Sequence, residues 1–91
     1  MFKVGQIYQF VRKWRNDIVI FPTPPPWNKI PFIERKNRIK DGDNFLILEK
    51  ISISYSLVGC KILFNGKIGW IEVDVPFGKV EFKSIGLSKN E

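Results

Sequence analysis

The chain has no histidine and no alanine, and cysteine occurs once, as Cys60. Without histidine it lacks the commonest general base and the commonest metal ligand. A serine or cysteine nucleophile would have no imidazole beside it. A single thiol makes neither an internal disulfide nor a thiolate metal cage, so a reducing, cytoplasmic setting is expected (host cytoplasm if the source is viral). Long apolar runs are also missing. Nothing approaches the ~20 residues of a membrane-spanning helix, and Met1 to Gln6 has no apolar stretch of the secretory kind. No enzyme activity, cofactor, metal or membrane partner is expected on these grounds.

What remains is material for one small folded domain. The 91 residues are 44% hydrophobic, enough for a modest core and too much for a disordered tail. Thirteen isoleucines and no alanine tilt the chain toward pleated structure, since alanine is the best helix former and β-branched side chains suit half-buried sheets. The abundance of Lys, Asn and Ile matches AT-rich codons, as in a phage or a small-genome microbe. Net charge is +6, and it is uneven. Residues 1–40 hold nine Lys or Arg against Asp17 and Glu34, whereas residues 41–91 hold six Lys against seven acids. The basic first half marks a candidate face for nucleic acid or an acidic partner, and the second half is expected to contribute little to it.

Along the chain, residues 4–11 read as a strand, and Ile18 to Phe21 as a short β-branched strand stopped by Pro22. Pro22 to Pro26 is held extended or looped by its fixed φ angles. Glu34 to Lys40 is charged and has at most a turn of helix. Asp41-Gly42-Asp43 signals a turn. Phe45, Ile47, Ile51, Ile53, Tyr55 and Leu57 then fall on odd positions, the period of a half-buried strand, with Glu49-Lys50 as a bend. Cys60 to Phe64 and Lys67 to Val73 flank Asn65-Gly66, the strongest short hairpin signal, which places Ile62 opposite Gly69 and Leu63 opposite Ile68. Pro76 to Gly78 turns the chain into a last short strand at 79–83, and 84–91 is expected to fray. The predicted fold is all-β: a small antiparallel barrel of five or six strands, one domain over 1–91 with its core at about 5–83.

Three pieces carry a likeness to a known family: Gln6 to Phe10, Asp41 to Glu49, and Lys61 to Ile71 with its Gly69-Trp70-Ile71 triplet after the Asn-Gly turn. Together they resemble an SH3-like barrel, of the bacterial SH3 type, with residues 12–40 as an enlarged first loop. The resemblance implies a binding module, with Tyr8, Phe10 and Trp70 at the places of the family's proline-recognition aromatics. It departs from that pattern at Gly59-Cys60, at Glu72 and at Val73-Asp74-Val75, so the fold carries over better than the ligand.

Candidate functional residues form two sets. The aromatics Tyr8, Phe10, Trp14, Trp27 and Trp70 are candidates for meeting a protein partner. The cations Arg12, Lys13, Arg15, Arg35, Lys36, Arg38 and Lys40 are candidates for phosphate contacts, with Trp14 and Trp27 available to stack on bases. For each set the bland alternative is a solvated loop with its indoles packed as lids. Asp41 and Asp43 have the look of an ordinary turn, because a Ca²⁺ site needs six or more oxygens, and Cys60 that of a buried small hydrophobe. Pro22-Thr23-Pro24-Pro25 is either a PxxP ligand or a stiff loop; a cation at the usual flanking offset is missing. Leu63, Ile68 and Trp70 fall on the hairpin face opposite Cys60, Ile62 and Ile71, and are either an interaction patch or covered by another segment.

The leading functional reading is a non-catalytic protein-interaction module or structural adaptor; the alternative is a small nucleic-acid-binding β-barrel; cell-wall binding is a third. Far-UV circular dichroism is expected to show β-structure without a helical double minimum, since no segment repeats apolar residues at helical spacing. A helical signal from a third of the chain would overturn the fold class.

Overall fold

The computed structural model describes residues 3–11, 17–27, 38–74 and 82–87. It is all-β, with seven strands among the described residues: β1 (Gln6–Phe10), β2 (Ile18–Val19), β3 (Arg38–Ile39), β4 (Asn44–Ser52), β5 (Leu57–Phe64), β6 (Lys67–Asp74) and β7 (Phe82–Leu87). Five form one antiparallel sheet in the order β6-β5-β4-β1-β7, and β2 and β3 form a separate two-stranded ribbon. The ribbon lies inside the segment read as an enlarged loop, and its first strand is the short one expected at Ile18 to Phe21, here Ile18–Val19. Ile18 pairs with Ile39 and Val19 with Arg38. Where a turn of helix was conceivable, Arg38 and Ile39 are therefore strand; residues 34–37 lie outside the described residues.

The hairpin follows the predicted register, Ile62 opposite Gly69 and Leu63 opposite Ile68. Asn65 and Gly66 take φ of 54° and 75°, as a type I′ turn requires. At the turn before β4, the Gly42 N–H donates to Phe10 O (2.7 Å), and Asp43 Oδ2 accepts from the Lys40 N–H (2.8 Å). Asp43 thus spends its carboxylate on its own turn.

Paired residues carry their side chains on the same face of a sheet, so the register sorts inside from outside. Tyr8, Phe10, Phe45, Ile47, Cys60, Ile62, Ile71, Val73 and Phe82 line the inner face, and Ile18 and Ile39 of the ribbon close over them in the same buried cluster. Phe82 stands edge-on to Phe45 at 5.6 Å and tilted to Phe10 at 5.7 Å, geometries that ring quadrupoles favour.

The odd-numbered stripe from Phe45 to Leu57 does not stay on one face. Ile47 pairs with Ile62, but Glu49 pairs with Lys61, which leaves Leu48 as an extra residue, a β-bulge at the expected bend. One extra residue inverts the period, so Phe45 and Ile47 point into the core while Ile51 and Ile53 point to the opposite face. The strand then ends at Ser52, and residues 54–56 bend, closed by the Ile53 N–H donating to Leu57 O (2.9 Å). Tyr55 lies fully exposed at that tip. Alternating Ser and apolar residues had there the pattern of a strand and the role of a turn.

The chain end differs too. β7 starts at Phe82 and runs to Leu87, so residues 84–87 are paired with β1 and do not fray. Ser84-Ile85-Gly86 is weak strand sequence, but β1 has a second edge to satisfy, and a bulge at Ile85 absorbs the mismatch. Residues 79–81 and the Pro76 turn lie outside the described residues.

Gly66→Val should destabilise the protein by about 1–2 kcal/mol, the cost of forcing a β-branched residue into the left-handed region. Urea denaturation checks this; an unchanged midpoint would mean that the turn conformation carries no weight.

Candidate functional site: a basic groove beside the hairpin

After β2 the chain crosses to the edge of β6. The Phe21 N–H donates to Trp70 O (2.7 Å), and the Trp70 N–H donates to Phe21 O (2.8 Å). Ile20, one residue earlier, points inward and sits over Gly69; a β carbon there would collide with its Cγ2 methyl. The pairing goes no further, because residues 22–25 bend away, with Pro22 fixed at a φ of about −65°. The bend folds back on the outer face. Trp27 stacks on Phe21, 4.3 Å apart and 7° from parallel, and its indole N–H donates to Thr23 O at 2.7 Å. Pro25 fills the space left by the missing side chain of Gly59, next to Ile53. Trp70, Phe21, Trp27, Pro25 and Ile53 thus build a second, smaller apolar layer on the face opposite the main core.

Between the ribbon and the end of the hairpin lies an open groove of about 620 Å³. Ile20, Phe21, Pro22, Ile62, Phe64 and Ile68 give it an apolar lining, and Arg38, Lys40 and Lys67 give it positive charge. Among the described residues no Asp or Glu lines it. The ion pair between Lys61 and Glu49 (3.8 Å) involves none of its residues. Three cations on a partly apolar wall raise the local concentration of an anion more than the same charges spread in water.

Of the aromatics singled out in the sequence, Tyr8 and Phe10 are buried in the main core, while Trp27 and Trp70 are buried in or beside the outer layer. None of these four rings presents an open face for stacking. Trp14 lies outside the described residues. Of the cations, Arg38 and Lys40 come together at the groove, and Arg12, Lys13, Arg15, Arg35 and Lys36 lie outside the described residues. Of the expected hairpin patch, Trp70 is covered, whereas Leu63 (37% exposed) and Ile68 (60%) stay open. The proline run is a bent loop tied to the sheet at Pro25 and Trp27.

Sequence reasoning missed Lys67, placed in the half expected to contribute little, together with Ile20 and Phe64. A usable signal for Lys67 was its place directly after Asn65-Gly66, which puts it beside Phe64 across the turn. Burial pushes the Cys60 thiol from 9.0 up to about 11, with Lys50 pulling the other way, so it is protonated at neutral pH. Comparison with protein-family models, with curated proteins and with solved structures gives no match. Among the described residues no helix is long and apolar enough to cross a membrane.

Gly69→Ala tests whether Ile20 anchors the crossing. The added methyl must displace Ile20 or the Phe21–Trp70 bridge, and a loss of about 1–3 kcal/mol is expected in thermal or urea unfolding. Unchanged stability would show that Ile20 does not hold the groove wall.

Proposed function

We propose that the protein is a non-catalytic binding module of SH3-like architecture, a protein-interaction adaptor that takes an acidic segment of a partner protein into the basic groove. The strand order supports the architecture, because the first strand lies between the last strand and a meander of three. The observation that carries the function is the lining of the groove: Arg38, Lys40 and Lys67 around Ile20, Ile62 and Ile68, with no described carboxylate. Such a surface complements a chain that mixes acids with aliphatic side chains. A reducing, cytoplasmic setting is proposed with it, on the ground that Cys60 is a lone free thiol.

A second reading, single-stranded nucleic acid, is favoured by one observation, the convergence of Arg38 and Lys40 on the same groove. Against it, base stacking needs open aromatic faces, and Trp27 and Trp70 are buried.

The two readings separate in amide NMR titrations of the whole protein with a short peptide alternating glutamate and valine, and with an oligothymidylate. The adaptor reading expects the peptide to shift Arg38, Lys40, Lys67 and Ile68, and a Lys40→Glu/Lys67→Glu variant to bind about ten-fold more weakly. Tighter binding of the oligothymidylate at the same amides, with a log–log salt slope of about −0.7 per phosphate, would replace it with the nucleic-acid reading.

A further inference from the structure

Among the described residues the edge of β6 is closed at one point near the groove. Backbone groups in an antiparallel ladder alternate between the two sides of a strand. Trp70 turns its N–H and C=O outward, to Phe21. Ile68, two residues earlier, therefore turns its own N–H and C=O outward along the same edge. Continued pairing by the crossing chain would have brought Thr23 opposite Ile68, but the ladder ends at Phe21 and residues 22–25 bend away. Among the described residues nothing bonds to Ile68 on this side. The groove opens there, with both Pro22 and Ile68 in its wall.

We infer that the partner segment binds by adding an extended strand to β6 at Ile68, in line with Phe21, and that its residues alternate between acidic and aliphatic. This rests on the adaptor reading above and specifies its geometry. A strand in that position sends alternate side chains to the two faces of the sheet. Those on the inner face enter the groove with Arg38, Lys40 and Lys67, which selects carboxylates. Those on the outer face meet Leu63 and Ile68, a cross-strand apolar pair open to solvent, which selects aliphatics. One backbone position thus fixes the register, and the two faces read opposite chemistries. A nucleic acid uses the cations but has no backbone amide to exchange with Ile68.

The test adds to the glutamate–valine peptide a copy N-methylated at its alternate amides on one edge, and a second copy N-methylated on the other edge. One copy should bind three- to ten-fold more weakly for each hydrogen bond lost, and the other should match the parent. The Ile68 amide proton should exchange more slowly in the complexes of the parent and of the matching copy, and less so with the weakened copy. Because the protein is unaltered, a folding defect cannot imitate this result. An Ile68→Pro variant removes the outward N–H without touching the hairpin's own bonds, and should weaken the parent peptide by a similar factor. If both methylated copies bind like the parent while shifts remain at Arg38, Lys40 and Lys67, strand addition is overturned and the adaptor reading stands. If the peptide moves no groove amide at millimolar concentration, both are overturned. If the oligothymidylate alone moves them, nucleic acid takes the place of both.

Discussion

Two hydrogen bonds between Phe21 and Trp70 hold the crossing segment against the sheet, and much of the molecule is arranged by them. On one side of that contact Ile20 drops into the space over Gly69 and joins the core. On the other, Phe21 carries Trp27 onto the outer face. The ribbon that covers the core and the bend that covers the outer face are therefore two ends of one tether. A single backbone bridge of this kind is worth little alone, on the order of 1 kcal/mol per hydrogen bond. It becomes decisive because side chains on both faces are buried only when it is made.

The all-β class, the hairpin and the turn at Asp41 to Asp43 were legible because each rests on local chemistry. Asn-Gly takes positive φ, Gly42 takes a φ of 92°, and isoleucine suits a pleated surface. The faces of β4 were not legible. A period-two pattern reports which residues alternate, not where an extra residue inverts the alternation, and nothing about Leu48 distinguishes it from its neighbours before the partner strand is known. The burial of Trp27 and Trp70 was equally hidden, since it depends on a contact between residues nearly fifty positions apart in sequence.

The candidate site was half legible for the same reason. Arg38 and Lys40 stood out as members of a basic run. Lys67 was one of six lysines in an acidic-leaning half, outside any basic run, and the crossing of the chain brings it to the same groove. Composition located the charge on the first half; the fold shares it across both. The groove is also the place where the tether stops short: the bend after Phe21 leaves the next stretch of the β6 edge without a strand beside it among the described residues.

The bulge in β4 has a consequence for how this chain can vary. Phe45 and Ile47 serve one apolar layer and Ile51 and Ile53 the other, and the pairing with β5 assigns them, Ile47 opposite Ile62 and Ile51 opposite Gly59, with Leu48 left over between. Replacing Leu48 by another residue leaves that assignment intact. Deleting it would also leave that assignment intact, because Ile47 opposite Ile62 and Glu49 opposite Lys61 are already consecutive pairs and only the bulge would be lost. Over evolutionary time the bulge is therefore the place where this strand can lose a residue without turning any side chain over, and one-residue gaps in an alignment of descendants should gather between Ile47 and Glu49.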